Sequence, residues 1–344
     1  MPIAPTLPAA ARPRRIKLVD ATTLGIPGGT GDDWRLHTAY DFTAGRLSEG
    51  LLSDRHTGEH LDHYALEAGD IVVSDSGYGY RGNVATARTV DADVVLRITY
   101  QGFPMQTQRG AALDIPAWVQ RGRGSIRHVE AVCAYRGQRF AVRLLTLRLP
   151  PQAAREARVR AARRAQKHSR RVRAETLRMA AWVLVVTTLD EATWPTTAVA
   201  RLYRARWQVE LLFKRWKSLL QLDDLRVRTR AAVEAVVRLK LLAWLLQAEV
   251  AEEVRSVLAT VQQPPGWVEQ HGEVLSTWGL TALSLTTLRQ QVQGRWTAGR
   301  VLACVGRLRR YLCSRPRRRG HQESEVRAWL EDHLNPAVPQ LKVA

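Results

Sequence analysis

The segment 194–222 constrains the fold most, because its hydrophobic residues recur at three- and four-residue steps over a long stretch. That spacing, after a threonine-rich start, predicts one long amphipathic helix. Its apolar stripe consists of Leu202, Ala205, Val209, Leu212, Phe213, Trp216, Leu219 and Leu220. A stripe of this width has to be buried, so we expect the helix to pack against a sheet.

A second face of the same predicted helix is polar and holds a single carboxylate among cations. Its members are Tyr203, Arg206, Glu210, Lys214 and Lys217. The cations lie one turn before Glu210 and one to two turns after it, a spacing typical of an exposed, salt-bridged surface. The alternative is a site in which Glu210 works together with carboxylates from elsewhere in the chain.

Two aspartates occupy apolar strands, where an unpaired carboxylate is costly. Asp20 follows Leu-Val and Asp75 follows Val-Val-Ser, and buried carboxylates are paired, hydrogen-bonded or bound to metal. Magnesium prefers oxygen ligands, and two ions about 4 Å apart can activate an attacking oxygen and stabilise a leaving one. We therefore predict that Asp20, Asp75 and Glu210 are catalytic ligands of Mg²⁺, for which Mn²⁺ can substitute.

The order of predicted elements is that of an α/β fold with a mixed sheet and an antiparallel hairpin at one side. The predicted elements are a strand from residue 16, hairpin strands 34–42 and 46–54, a short helix 57–66, strand 70–75, a helix, strand 92–99, strands 125–135 and 138–149, a basic helical stretch, strand 182–189 and a second apolar helix 228–257. We expect a disordered tail at 1–13, a core of 14–99 and 182–256, a β-rich insertion with the basic stretch at 100–181, and a helical basic region at 257–344.

Charge narrows the partners that this fold can have. Lys plus Arg number 52 against 32 Asp plus Glu, which gives a formal charge of +20 and a pI of about 10.9. A field of that sign attracts nucleic acid. The three cysteines form no paired metal-binding motif, and no apolar run approaches the roughly 20 residues of a membrane span. The cysteine usage fits a reducing cytoplasm.

The spacing Tyr203-x2-Arg206-x3-Glu210-x6-Lys217 resembles the signature of the insertion sequence four family of DDE transposases. LVDATTL around Asp20 and VVSDSGYGY around Asp75 resemble the strands of that family's two aspartates, and the likeness covers roughly residues 14 to 250. The resemblance implies a ribonuclease-H-like core with a β-rich insertion before the glutamate helix. It also implies that Asp20, Asp75 and Glu210 bind metal.

The same resemblance implies DNA-binding roles around the carboxylates and a reaction. The residues concerned are Tyr203, Arg206, Trp207, Lys217 and Trp182, and we predict that Lys214, on the same polar face as Glu210, binds DNA with them. The two tryptophans match positions that stack near a flipped base or hairpin end, although both could instead be core residues. The implied reaction is cut-and-paste transposition: a nick at the element end, release through a hairpin, and joining of the 3′ end to target DNA by a dimer.

The sequence departs from the family in one respect and leaves two rival functions open. A helical end-binding region usually precedes the first aspartate, whereas only 19 residues precede Asp20. Either another region recognises the ends or the chain is truncated, which leaves an inactive DNA-binding remnant as one rival. The other rival is a zinc hydrolase, because His56, His60 and His63 have the spacing i, i+4 and i+7 at the predicted short helix, next to Glu59, and could present ligands on one face.

Overall fold

Strands from two halves of the chain join in one sheet in the computed structural model, which describes residues 15–29, 31–260, 274–275, 277–294 and 313–314. In chain order the strands of this sheet are β1 (Ile16–Leu24), β2 (Trp34–Asp41), β3 (Arg46–Asp54), β4 (Ile71–Ser74), β5 (Asp93–Ile98), β6 (Ile126–Tyr135), β7 (Gln138–Arg148) and β8 (Trp182–Thr187). Their lateral order is β3-β2-β1-β4-β5-β8-β7-β6. A separate two-stranded ladder pairs β9 (Val274–Leu275) with β10 (Cys313–Ser314).

Helices flank this sheet, and none of those described is both long and apolar enough to cross a membrane. They are α1 (Arg81–Thr89), α2 (Ile115–Arg121), α3 (Pro151–Lys167), α4 (Ala174–Met179), α5 (Thr196–Ala205), α6 (Trp207–Leu219), α7 (Arg230–Thr260) and α8 (Thr277–Val292). The predicted α/β class, a mixed sheet with flanking helices like that of ribonuclease-H-like proteins, is confirmed.

Strand direction defines two edges of the sheet. Strands β1, β4 and β5 run parallel to one another, whereas β8 is antiparallel to β5 and β7 is antiparallel to β8. The carboxyl ends of β1, β4, β5 and β7 therefore lie at the same edge as the start of β8. We call this the carboxyl edge.

Each face of the sheet has its own hydrophobic core, as alternation along the strands requires. On one face, Leu18 and Val73 pack with Leu202 of α5, Val209 of α6 and Val237 of α7. On the other face the core is built mainly on the loop after β3, α1 and α2, and it contains Val19, Val72, Leu61, Val84 and Ile115. The stripe predicted for segment 194–222 is buried as expected, apart from the partly exposed Leu219 and Leu220 at its end.

The long helix predicted over segment 194–222 is interrupted, so that prediction is wrong in one respect. Helix α5 ends at Ala205 and α6 begins at Trp207. The N–H of Arg206 donates to Tyr203 O at 3.3 Å, and the N–H of Val209 donates to Arg206 O at 3.2 Å. Both hydrogen bonds join residues three positions apart, as in a 3₁₀-helix, and so tighten the helix locally. The tightening occurs at Arg206, whose side chain reaches the sheet.

The short helix predicted at 57–66 is also absent, apart from a three-residue 3₁₀ turn at Leu61–His63. Backbone groups of this segment are held by other parts of the chain: Arg35 donates to Thr57 O and Asn83 Oδ1 accepts from Leu61 N. Hydrogen bonds to distant side chains thus replace the hydrogen bonds between successive turns that a helix would need. The hairpin of β2 and β3, by contrast, is confirmed.

Two regional expectations lie wholly or largely outside the described residues. These are the tail at 1–13 and most of the helical basic region at 257–344. Within the segment predicted as an insertion, β6 and β7 extend the main sheet, and the basic stretch forms α3 and α4.

Candidate active site

Two carboxylates stand side by side at the carboxyl edge because β1 and β4 are parallel and in register. Val19 is paired with Ser74, and the Ser74 hydroxyl donates to Val19 O at 2.8 Å. Asp20 and Asp75 each follow one residue later. Alternation places both on the face of Leu18 and Val73, which is the face covered by α5 and α6.

Arg206 joins the sheet to the glutamate of α6. Its Nη1 donates to Asp20 Oδ2 at 3.4 Å, and its Nη2 donates to Glu210 Oε1 one helical turn further on. The three side chains are largely shielded, with exposed fractions of 13% for Arg206, 15% for Asp20 and 28% for Glu210. Asp20 and Glu210, far apart in sequence, therefore meet through one guanidinium.

The electrostatics of this group depend on burial and on crowding of like charges. Burial and, to a smaller extent, the charge of Asp75 raise the pKa of Asp20 to about 7. Arg206 and the N–H of Ala21, which donates to Asp20 Oδ1 at 2.8 Å, act in the opposite direction. Burial acts to lower the pKa of Arg206, but Tyr203, Glu210 and Asp20 outweigh it and the pKa rises. The guanidinium stays charged.

A further carboxylate, that of Glu59, lies beside Asp75. The sequence pattern did not predict that it would lie near the two aspartates. A Cβ added at Gly77 would collide with Glu59 Oε2 and would approach Asp75 Oδ1 to 3.2 Å. The Gly77 N–H donates to Asp75 Oδ1 at 2.8 Å. Burial, together with the charge of Asp75, raises the pKa of Glu59, which Arg35 partly offsets. Glycine at position 77 thus makes room for two neighbouring carboxylates.

Asn83 of α1, which is fully buried, fixes the two loops that carry these carboxylates. Its amide nitrogen donates to Tyr78 O at 2.8 Å and to Glu59 O at 3.2 Å, while its oxygen accepts from Leu61 N at 2.8 Å. One side chain therefore ties the turn after Asp75 to the loop of Glu59. Sequence reasoning missed it, because its partners lie in segments separated from it by turns.

The donor set at the carboxyl edge suits a hard divalent cation, since it consists of carboxylate oxygens that repel one another. Within the ranges that the structure describes, however, no three His, Cys, Asp or Glu side chains cluster closely enough to hold a metal ion. The Arg206 guanidinium lies between Asp20 and Glu210. The aspartate pair therefore fits a metal by its chemistry, and Glu210 is held next to it by Arg206.

The other residues of the polar helix face surround this group unevenly. Lys217 Nζ donates to Thr23 O at 3.1 Å, which places its ammonium on the same strand as Asp20. The ring of Tyr203 lies 6.0 Å from the Arg206 guanidinium, and burial raises the pKa of its hydroxyl. Lys214 Nζ stands 4.8 Å above the Trp207 ring at the start of α6.

Trp182 is separated from these residues but shares their edge of the sheet. It is the first residue of β8, it pairs with Arg148, and it packs partly against the second core. The Arg148 guanidinium lies 5.9 Å from its ring. Neither tryptophan is fully buried, so their predicted stacking on a base stays a prediction.

The histidine alternative fails on its geometric premise. His56, His60 and His63 do not share a helical face, because the helix predicted there is absent. The His60 ring nitrogen contacts the Tyr80 hydroxyl, and His63 Nε2 lies 2.9 Å from Gly58 O. The absence of a metal-holding cluster among the described residues counts against this zinc site as well.

Comparison with known proteins adds evidence of descent. Residues 11–246 match the family model of the transposase DDE domain. The chain is 33% identical over 240 residues to the putative transposase InsL of insertion sequence element IS186A from Escherichia coli K12 and to the transposase of element IS421 from Escherichia coli. Each match covers 68% of this chain and 65% of the relative. A transposase of element IS231F from Bacillus thuringiensis is 26% identical, over 71% of this chain and 58% of that protein.

Proposed function

The chain belongs to the family of the transposase DDE domain, and from that premise we propose that it is an insertion-sequence transposase. It cuts DNA at the ends of a mobile element in a metal-dependent reaction and joins the freed ends to target DNA. The chain spans 65% of the length of the relatives that it matches at 33% identity, which is less than two thirds. The proposed activity is therefore argued from the candidate active site as well as from the similarity to these relatives.

One observation carries the proposal: Arg206 bonds both Asp20 and Glu210, which are 190 positions apart in numbering, beside the adjacent Asp75. A strand carboxylate and a helix carboxylate are thus joined by one guanidinium at the carboxyl edge, next to the carboxylate that follows β4. Carboxylates gathered from distant segments are what metal-dependent phosphodiester chemistry requires. A salt-bridged surface helix would not need the buried aspartate of β1.

We also assign the chain to the insertion sequence four group of this family. The four signature residues Tyr203, Arg206, Glu210 and Lys217 support this, because their side chains all point to the strand of Asp20 or to one another. The motif thus has a physical basis here: its spacing puts one carboxylate and three phosphate-binding or hydrogen-bonding groups on the side of α5 and α6 that meets β1.

In the proposed reaction Asp20, Asp75 and Glu210 would hold magnesium, or manganese in its place. When bound, the metal makes the attacking oxygen more nucleophilic and stabilises the leaving one. Arg206 keeps Glu210 directed at the aspartates, and its guanidinium together with Lys217 offers cationic hydrogen-bond donors to phosphate oxygens. Trp207 and Trp182 would offer faces on which an unpaired base can stack, which is worth about 1–3 kcal/mol for one base.

The proposed partners follow from the reaction. The substrates are duplex DNA that carries the element's terminal repeats and duplex target DNA, and two ends have to be processed together, which favours a homodimer in the DNA complex. We place this activity in the bacterial cytoplasm on the nucleoid, where both substrates are found.

The decisive experiment incubates the purified chain with DNA that carries its own element's ends, in Mg²⁺ or Mn²⁺. The matched pair of variants is Glu210→Gln and Glu234→Gln, because Glu234 also pairs with an arginine one turn away, Arg230, but on α7. We expect end-specific nicking by the parent and by Glu234→Gln, and none by Glu210→Gln. Binding without nicking by the parent would instead support an inactive, DNA-binding remnant.

A further inference from the structure

The β7–β8 connection is a basic helical hairpin that comprises α3, residues 168–173 and α4. It carries ten arginine or lysine side chains and two glutamates between residues 151 and 179. Arg160–Glu156 is the ion pair that the structure shows within it, and both side chains are more than half exposed. Most of these cations therefore face solvent, and a surface of that kind attracts polyanions.

The sheet topology places the hairpin at the carboxyl edge. This position could not be predicted from the composition of the segment. Strand β7 ends at that edge with Arg148, β8 starts there with Trp182, and the two residues are paired. Pro151 begins α3 directly after β7. The Tyr100 hydroxyl, just beyond the end of β5, lies 3.3 Å from Thr176 Oγ1 of α4 and ties the hairpin to the same edge.

Distances across the sheet relate the hairpin to the candidate active site. Asp75 follows β4, and only β5 separates β4 from β8. Two strand spacings amount to about 10 Å, or roughly three base pairs at about 3.4 Å each. Helix α3 has 17 residues and is about 25 Å long, which matches about seven base pairs. A duplex with one phosphate at the carboxylates would continue over the hairpin.

The hairpin also forms an open cavity that is lined by several arginine side chains. This cavity of about 470 Å³ between α3 and the 168–173 segment is lined by Arg164, Arg170, Arg171 and Arg173, with Thr176 and Gln101. Arg158 Nε donates to Leu177 O at 3.3 Å, which links the two helices. The arginines are thus presented from a braced hairpin, and guanidinium groups suit phosphate oxygens.

We propose that the basic hairpin holds the sugar-phosphate backbone of duplex DNA next to the cleavage site. This inference rests on the proposed function for the identity of the nucleic acid. The contact is to phosphates and is therefore independent of base sequence. It fixes the direction of the duplex across the carboxyl edge, so that the scissile phosphate meets the aspartates.

The test compares two triple variants of the full chain that lose the same charge. Arg163→Gln with Arg164→Gln and Arg171→Gln neutralises exposed cations of the hairpin, whereas Arg46→Gln with Arg136→Gln and Arg139→Gln neutralises exposed cations at the opposite edge. Binding to a duplex of about thirty base pairs of arbitrary sequence is measured in EDTA between about 50 and 200 mM salt.

We expect the hairpin triple to weaken binding at least tenfold and to reduce the slope of log K against log salt by about 2 to 3, since each lost phosphate contact contributes about 0.9. The control triple should change binding less than threefold. Equal losses in both triples, an unchanged slope in the hairpin triple, or tighter binding of the parent to duplex RNA than to DNA would overturn the proposal. Circular dichroism and thermal melting confirm that both variants are folded.

The assay separates this inference from the proposed function because it requires no cutting. Binding that depends on the hairpin, in a chain that never nicks element ends, would retain the DNA contact and refute the transposase activity. Nicking that proceeds equally well in the parent and in the hairpin triple, at about 200 mM salt and limiting DNA, would retain the activity and refute the contact.

Discussion

The carboxylate group and the basic hairpin share one edge of the sheet but are built in opposite ways. Asp20, Asp75 and Glu210 are few and shielded, and each is fixed by identified donors such as Arg206 or a backbone N–H. The hairpin's cations are many and mostly exposed. The first region depends on precise placement of each group, whereas the second depends on the number of its charges.

The two regions should respond differently to substitution. Low exposure strengthens electrostatic interactions and makes each group individually important. Exposed cations are screened by salt and act together, so that the loss of one is tolerated. Substitutions in the carboxylate group and in the basic hairpin should therefore differ in the size, the additivity and the pH dependence of their effects.

The largest effect should come from single substitutions in the two regions. Asp75→Asn keeps the shape of the side chain but removes a charge beside Asp20, so we expect metal-dependent nicking to fall on the order of a thousandfold or more. Arg163→Gln should weaken DNA binding only about twofold to threefold. Initial nicking rates and binding isotherms measure both. Comparable losses from the two single variants would break the contrast.

Sequence reasoning located most of the carboxylate group but not its arrangement. The motif and the apolar strands around Asp20 and Asp75 were enough to predict the candidate ligands. The interruption of the helix at Arg206 was not predictable, because it accompanies a bond to Asp20, a residue 186 positions earlier. The position of Glu59 was not predicted, because its segment had the pattern of a short helix. In the structure the backbone of that segment bonds to the Asn83 side chain in place of forming helical hydrogen bonds.

The fold shows the same limit at larger scale. Alternating and apolar runs predicted each strand from β1 to β8, since the period of burial is local. The order in which the strands pair is not local, so the sequence could not show that β6 and β7 of the predicted insertion extend the main sheet. The charge of the hairpin was evident from composition, whereas its place at the carboxyl edge follows only from strand direction.

The second prediction concerns stability in the absence of metal. Because burial and Asp75 raise the pKa of Asp20 from 3.8 to about 7, the folded state holds a proton that the unfolded state releases. Stability from this group is complete below about pH 4 and is lost as pH rises to about 7. Asp20→Asn should therefore stabilise the fold by about 2 to 4 kcal/mol at pH 8 and hardly at all at pH 4.

Urea unfolding in EDTA at several pH values measures this effect. The same analysis of Arg163→Gln provides the contrast, because an exposed side chain should change the free energy of unfolding by less than about 0.5 kcal/mol at any pH. A gain for Asp20→Asn that does not vary with pH would mean that relief of charge is not its cause.

The third prediction asks whether the turn after Asp75 is held by its backbone or by its side chains. A Cβ at Gly79 would lie 2.2 Å from Arg97 O, a backbone atom of β5 that cannot move aside. We expect Gly79→Ala to cost about 1 to 3 kcal/mol of stability. A Cβ at Gly77 meets the end of the flexible Glu59 side chain, so Gly77→Ala should cost about 0.5 kcal/mol or less.

Thermal or urea unfolding of the two alanine variants decides between these cases. Equal and small losses of stability would show that the turn after Asp75 adjusts to a substitution as readily as the exposed hairpin does. The two regions would then not differ in rigidity. Equal and large costs would show that the Glu59 carboxylate is fixed next to Asp75 despite their repulsion.

The smallest effect should have opposite signs in the two regions. Glu156 is one of the two acidic residues of the basic hairpin, and its pair with Arg160 is exposed on both sides. Glu156→Gln should therefore cost no more than about 0.5 kcal/mol of stability and should tighten binding to duplex DNA about twofold, because Arg160 becomes available to phosphate. A removed carboxylate would improve function on the hairpin and abolish it at Glu210. Weaker DNA binding by Glu156→Gln would mean that the hairpin, like the carboxylate group, depends on placement of individual side chains, and the distinction between the two regions would fail.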